Sequence, residues 1–296
     1  MKTFKIETDD LTIHGSIFEP KGRVKGVVQI LHGMCEHKER YYDFMKFLSS
    51  KGYISVIHDH RGHGESINNK YVLGYFGKDK DILVKDAHLV TSYIKEKYPN
   101  YSITLFGHSM GSLVARRYIS FYDNEITRLI LCGTPTYNPL SNVGSVLASI
   151  VGLLKGDYHR SKLLNNLSLG TYSKKFDNSN DWISTNPEII KKYETDERCG
   201  FVFTVNGFKM LFKMMSNVYK KKEYHLNNNK LSIFVIGGTD DPVINGESKF
   251  NHLKQFLLSI GYKNVSNKLY KGLRHELLNE IGNDKIYDDV LHFIQK

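Results

Sequence analysis

Two hydrophobic rhythms alternate along the chain. Short apolar runs rich in Val, Ile and Leu recur at Gly26–Leu31, Tyr53–His58, Ile103–Phe106, Arg128–Cys132, Leu231–Ile236 and Val265–Tyr270. Runs without a polar partner at every second position predict strands covered on both faces, as in a parallel sheet. Helical segments separate them: Arg40–Lys51 with Gly52 as its stop, Lys80–Tyr98 closed by Pro99, a helix from Ser112 onward, Asn251–Ile260 and Lys285–Gln295. Phe4–Thr8 and Leu11–Phe18 alternate like half-buried strands, and Asp9-Asp10 between them predicts an opening hairpin. The order predicts an α/β fold, with a mostly parallel central sheet flanked by helices.

From about Tyr137 to Lys230 the strand rhythm stops, and a helical stretch rich in Asn, Ser, Tyr and Lys takes its place. The expected organisation is therefore one core domain, residues 1–135 and 231–296, split by a helical insertion over 136–230. Inside the insertion, Val143, Val146, Leu147, Ile150, Val151 and Leu154 form an apolar stripe at helical spacing. Gly144, Ser145, Ala148, Ser149 and Gly152 lie opposite, without a charge. Such a helix can be a buried piece of the insertion's core, or a lid touching lipid on one side and a pocket on the other.

Candidate chemistry centres on Gly107-His108-Ser109-Met110-Gly111, a sharp turn between the strand ending at Phe106 and the following helix. A serine on such a turn is strained and crowds the positions two before and two after it, which explains both glycines. This is the pattern of a nucleophile elbow, with Ser109 at a helix N-terminus where developing negative charge is favoured. A serine nucleophile needs a base and an acid to orient that base, in chain order serine, acid, histidine. His275, in the loop after the last strand, supplies the base. Asp240 and Asp241 both follow the strand ending at Ile236, and glycine spacing does not choose between them. Pro242 does, because it forces Asp241 into an extended conformation, and Val243 anchors the loop. Asp241 is therefore the expected acid, with Asp240 facing water. Backbone N–H groups of Met34, after the third strand, and of Met110 are the expected oxyanion donors.

Composition narrows the setting. A chain of 296 residues is long enough for one substantial core with an insertion. Cys35, Cys132 and Cys199 are odd in number and far apart with no Cys-x-x-Cys pair, arguing against disulfides and a structural zinc site and for a reducing cytoplasm. No secretory leader is visible at the start, and the apolar stretch Val143–Leu154 is too short to cross a bilayer. The net charge of +10 is spread over small lysine groups without interleaved aromatics, which speaks against nucleic acid. Solvated surface is the first reading of that charge and proximity to an anionic membrane the second. His58, His60 and His63 raise the question of a metal, but Gly62 stands where a metal-binding run needs an acid, and the loop reads as a tight turn held by side-chain hydrogen bonds. No metal and no cofactor is expected.

Taken as a set, His32-Gly33-Met34-Cys35-Glu36-His37-Lys38-Glu39-Arg40-Tyr41, Asp59-His60-Arg61-Gly62-His63-Gly64-Glu65-Ser66, Gly107–Gly111 and Arg274-His275-Glu276 resemble the monoacylglycerol lipase and lysophospholipase branch of the α/β-hydrolase superfamily. The resemblance implies a triad of Ser109, an aspartate near 241 and His275, a cap over an acyl pocket at 136–230, and a serine esterase acting on lipids with one acyl chain through an acyl-enzyme. A general carboxylesterase or thioesterase is the alternative, and a non-catalytic ligand-binding member of the fold would have a defective triad, which this chain lacks. Glu36, His37 and Arg40, just beyond the proposed oxyanion loop, are candidate contacts to the alcohol half of the substrate. Acyl length and oligomeric state are not legible.

Overall fold

A computed structural model describes residues 1–170 and 172–296. Eight strands form one sheet: β1 (Lys2–Glu7), β2 (Thr12–Phe18), β3 (Gly26–Leu31), β4 (Tyr53–His58), β5 (Ile103–His108), β6 (Arg128–Cys132), β7 (Ser232–Gly238) and β8 (Asn264–Tyr270). Their spatial order is β1-β2-β4-β3-β5-β6-β7-β8; β1 and β2 pair antiparallel, β2 meets β4 antiparallel, and the rest run parallel. The chain leaves β3 toward β4 on one side and later returns to β5 on the other. The C-terminal ends of β3 and β5 thus flank the switch point, where ligands bind in such sheets.

Alternate residues of the strands feed two cores. Val28, Ile30, Ile57, Phe106, Ile130 and Ile236 point to the face covered by α1 (Tyr42–Ser50) and α9 (Asp284–Gln295). Val27, Leu31, Val56, Leu105, Leu129 and Val235 point to the face covered by α2 (Ile82–Lys97), α3 (Met110–Tyr122) and α8 (Glu247–Ile260). This two-sided burial is why the strands carry apolar residues at consecutive positions. Helix starts differ from the sequence expectation by one to four residues, α2 beginning at Ile82 and α8 at Glu247. Residues Lys38–Tyr41 form a tighter 3-10 turn before α1, and α3 begins at Met110, directly after Ser109.

Between β6 and β7 lie α4 (Leu140–Lys155), α5 (Lys162–Ser168), α6 (Pro187–Thr195) and α7 (Val205–Asn217), with no strand among the described residues. The guanidinium of Arg116, fully buried on α3, donates to the carbonyls of Pro135 at 3.3 Å and Val218 at 3.1 Å. One side chain therefore holds both ends of this helical stretch. Inside it, α4 packs its small face on α7: Gly144 and Ala148 are buried, and a methyl group on Gly144 would meet the Phe212 ring at 3.0 Å. The apolar stripe is turned largely outward instead, with Val146 61% and Leu154 78% exposed and only Leu147 and Val151 half-buried. That overturns the reading of the stripe as buried core. The reason is steric, since small residues let two helix axes approach closely while branched side chains would hold them apart.

The packing predicts an inverted mutational pattern on α4. Gly144→Val should destabilise the fold by about 1–3 kcal/mol through overpacking against Phe212, whereas Val146→Ser should change stability by less than about 0.5 kcal/mol. Urea unfolding of both variants checks this; a larger loss for Val146→Ser would contradict the observed helix orientation.

Candidate active site

Ser109 occupies φ +51°, ψ −118°, a conformation that a side-chain-bearing residue rarely adopts. A methyl group on Gly107 would lie 2.5 Å from the Gly111 carbonyl oxygen, and one on Gly111 would lie 2.2 Å from that of Leu31. The two glycines are thus required by backbone packing, as the elbow pattern predicts. The turn is tied to the sheet by the Ser109 N–H, which donates to the Cys132 carbonyl at the end of β6.

Two loops at the same sheet edge meet the serine. His275 Nε2 lies 2.8 Å from Ser109 Oγ, and its Nδ1 lies 2.9 Å from Asp241 Oδ2. The other Asp241 oxygen accepts the Val243 N–H at 2.8 Å, and Asp241 is extended at φ −74°, ψ 112°, as Pro242 demands. Asp240 is exposed, and its carboxylate accepts only from the neighbouring Thr239 hydroxyl. His275 and Asp241 are both buried. Trp182 covers the imidazole, with ring centroids 5.1 Å apart, and its carbonyl accepts the His275 N–H. No sequence signal marked Trp182 beyond its being the single tryptophan.

Met110 opens α3, so its N–H belongs to the unpaired first turn of a helix. Gly33 touches the serine: a methyl group there would sit 3.2 Å from Ser109 Cβ. Met34 follows it and lines, with Ser109 and Met110, a narrow apolar pocket of about 30 Å³ closed by Leu169, Leu211, Met215 and Val243. A second narrow pocket, about 20 Å³, shares Ser109 and Met34 and is the more polar of the two, lined by Glu36, Tyr193, His275 and Glu276 besides Trp182 and Ile183. Ser109 stands between the two. No residue of α4 lines either pocket, so the pocket-facing half of the lid expectation does not hold.

Of the three expected substrate contacts, Glu36 alone reaches a pocket shared with Ser109. Its carboxylate accepts the Gly33 N–H and the Tyr41 hydroxyl, so it fixes the loop between Gly33 and Met34 from behind. Burial opposes its charge, but His108, Arg40 and Tyr41 outweigh that and bring its pKa to about 2. Burial likewise works against a charged His108, yet the hydrogen bond it donates to Glu36 raises its pKa above the ordinary value. Arg40 is clamped between Glu36 and Glu276 and stacks over Tyr193. His37 pairs with Asp196 at 2.9 Å and, with Arg40, lines a separate outer cleft.

The histidine-rich loop after β4 serves the same backbone. His60 N–H donates to His32 Nε2 at 2.9 Å, His32 Nδ1 donates to the Gly33 carbonyl at 2.8 Å, and Cys35 N–H donates to His63 Nε2 at 3.3 Å. Each imidazole accepts or donates in a way only its neutral form allows. His60 and His63 are therefore braces, His58 is buried without a side-chain hydrogen bond among the described residues, and the three do not converge on a common point. Asp59 completes the loop by accepting from the N–H of Lys38 and Glu65 and from the Lys38 ammonium.

A sheet of this order with a serine turn after its fifth strand, an acid after the seventh and a histidine after the eighth is an α/β-hydrolase. Residues 22–282 match the family described as serine aminopeptidase, S33, and the chain belongs to that family. It is 24% identical to a monoacylglycerol lipase of Mycolicibacterium smegmatis, over 94% of this chain and 91% of that protein. It is 25% identical to human monoglyceride lipase, over 94% of this chain and 83% of that one. A crystal structure of a thermostable carboxyl esterase from Bacillus coagulans, in complex with glycerol, superposes with a TM-score of 0.91 at 24% identity, covering 99% of this chain and 97% of that one. That likeness shows the shared fold.

Burial of the neutral histidines makes stability fall with acid. Desolvation, aided by mutual repulsion, lowers His63 to about 3, and desolvation lowers His60 to about 4. An unfolded histidine titrates near 6.5. Below about pH 6.5 the unfolded chain therefore binds more protons, and each such group removes up to about 1.4 kcal/mol of stability per pH unit until its folded pKa is reached. His108 has the opposite sign, but its contribution is already complete below about pH 6.5. Urea midpoints should drop steadily from pH 6.5 to 5, with a shallower slope in His63→Gln; equal slopes would rule out the cluster as the cause.

Proposed function

We propose that the protein is a serine esterase that hydrolyses single-acyl-chain lipid esters, of the monoacylglycerol or lysophospholipid kind, through an acyl-enzyme. The observation that carries this reading is the position of Ser109 between an apolar pocket and a more polar one, in hydrogen-bond contact with His275 and through it with Asp241. The relatives named as monoacylglycerol and monoglyceride lipases support it.

In the mechanism, His275 Nε2 takes the Ser109 proton as Oγ attacks the ester carbonyl, and Asp241 holds the imidazole tautomer and stabilises its charge. The N–H groups of Met34 and Met110 stabilise the oxyanion, each worth about 3–4 kcal/mol. The alcohol leaves with the proton from His275, and a water activated by the same imidazole hydrolyses the acyl-enzyme. The acyl chain takes the side of Leu211 and Met215, and the alcohol that of Glu36 and Tyr193. An aminopeptidase would need a carboxylate free to bind an ammonium group, whereas Glu36 and Glu276 are both ion-paired with Arg40.

Residues 136–230 act as the cap in this reading, over the core formed by 1–135 and 231–296. The narrow pockets then require the cap to move before a long acyl chain can enter. No helix among the described residues is long and apolar enough to cross a membrane. The outward stripe of α4, continued by Leu163 and Leu167 of α5 and bordered by Lys155 and Lys162, instead suits transient contact with an anionic membrane surface by a cytoplasmic enzyme.

Four measurements test the chemistry and the surface. A fluorophosphonate probe should label the protein once, at Ser109. Asp241→Asn should lose on the order of 10⁴ in turnover, against about tenfold or less for Asp240→Asn, equivalent to about 1.4 kcal/mol of barrier; the reverse ranking would move the acid to Asp240.

Rates on monoacylglycerols, lysophospholipids, short aryl esters and aminoacyl anilides should favour the first two groups. With monoacylglycerol in phosphatidylglycerol-containing vesicles, Ile150→Asp should lose about tenfold or more, the scale of one isoleucine's burial, while its rate on a two-carbon ester stays unchanged. Equal losses on both substrates would remove the membrane role from α4.

A further inference from the structure

The segment just beyond the Gly33–Met34 loop is zipped to the loop after α6. Gly200 N–H donates to the Cys35 carbonyl at 2.9 Å, and the Cys35 thiol donates to the Phe201 carbonyl at 2.9 Å. At this seam the buried imidazole of His37 has Nε2 2.9 Å from Asp196 Oδ2, while its Nδ1 has no partner. The thiol of Cys199 is buried beside them, and a ring nitrogen of His37, a carboxylate oxygen of Asp196 and the Cys199 sulfur all lie within 4.8 Å of one another.

We infer that His37, Asp196 and Cys199 form a zinc-binding site that braces this seam. A tetrahedral zinc ion with bonds of about 2.0–2.3 Å sets its ligand atoms about 3.3–3.8 Å apart, so modest side-chain rotations close the set. Thiolate and imidazole together select zinc over magnesium or calcium. Charge balances as well. Zinc with one thiolate and one carboxylate is neutral; the adjacent Arg198, which bridges Glu39 at 2.8 Å and Asp196 at 3.1 Å, keeps its Glu39 partner when the ion takes the Asp196 carboxylate. On binding, the Cys199 proton leaves to solvent and the imidazole proton moves from Nε2 to Nδ1. There Glu39, whose carboxylate is 3.9 Å away, can swing in to accept it, the usual outer partner of a metal-bound histidine. His37 and Asp196 also line the outer cleft of about 680 Å³, which gives the ion a path from solvent and leaves room for a water as fourth ligand. The inference does not depend on the ester chemistry at Ser109.

Cobalt replaces zinc with a visible signature, so the test needs no activity. Chelator-treated protein titrated with cobalt should take up one equivalent, develop a sulfur-to-cobalt charge-transfer band with four-coordinate visible absorption, and lose both when zinc is added. Cys199→Ser should abolish the sulfur band and Cys35→Ser keep it, while His37→Gln and Asp196→Asn weaken zinc binding by about tenfold or more. Absence of a sulfur band in the unmodified protein would overturn the site whatever the variants do. So would a band that survives in Cys199→Ser or vanishes in Cys35→Ser.

Discussion

Everything at the functional end of this fold is arranged around a backbone that is held where a serine does not want to be. The positive φ at Ser109 costs on the order of 1–3 kcal/mol, and it persists because the surroundings leave no alternative. Gly107 and Gly111 permit contacts that any side chain would block, the Ser109 N–H is fixed to β6, and α3 is buried along most of its length. The strained turn aims Oγ out of the sheet toward the point where two other loops arrive. Because strand ends in a parallel sheet lie at one edge, residues 109, 241 and 275 meet without any contact between neighbours in sequence.

The second constraint is on the loop facing that turn. Residues 32–35 have no regular structure of their own, so their shape is dictated from outside, by His32, His60 and His63 on one side and by Glu36 with Tyr41 and His108 on the other. The imidazoles of the first group are held neutral, and Glu36 in the second is held ionised. A loop held by both responds to pH at two separate points, and its geometry is kept only while each set stays in its own protonation state.

Much of this was legible in the sequence for specific reasons. The strands β3, β4 and β6 announce themselves because a central parallel strand buries both faces, and the serine turn because its glycines are demanded by backbone contact. Asp241 was distinguishable from Asp240 because proline restricts its predecessor. The orientation of α4 was not legible: periodicity marks two faces but does not say which one a neighbour takes, and here the ring of Phe212 on α7 decides. Trp182 over His275 was invisible because its contact depends on how a long helical stretch folds back. The histidines of the 58–63 loop were noticed, but their hydrogen bonds run to backbone atoms of a loop some thirty residues earlier, which spacing cannot reveal.

The grip of Arg116 on Pro135 and Val218 has a consequence for the history of such chains. Seen from the sheet, the helical stretch between Pro135 and Val218 leaves and returns at nearly one point, where a single guanidinium reaches both carbonyls. The positions of β6 and β7 do not depend on the length of what lies between. A stretch of quite different size could be spliced in at this point without shifting β6 or β7, so the substrate-facing half of the molecule is free to diverge while the strands that carry the reacting groups stay as they are.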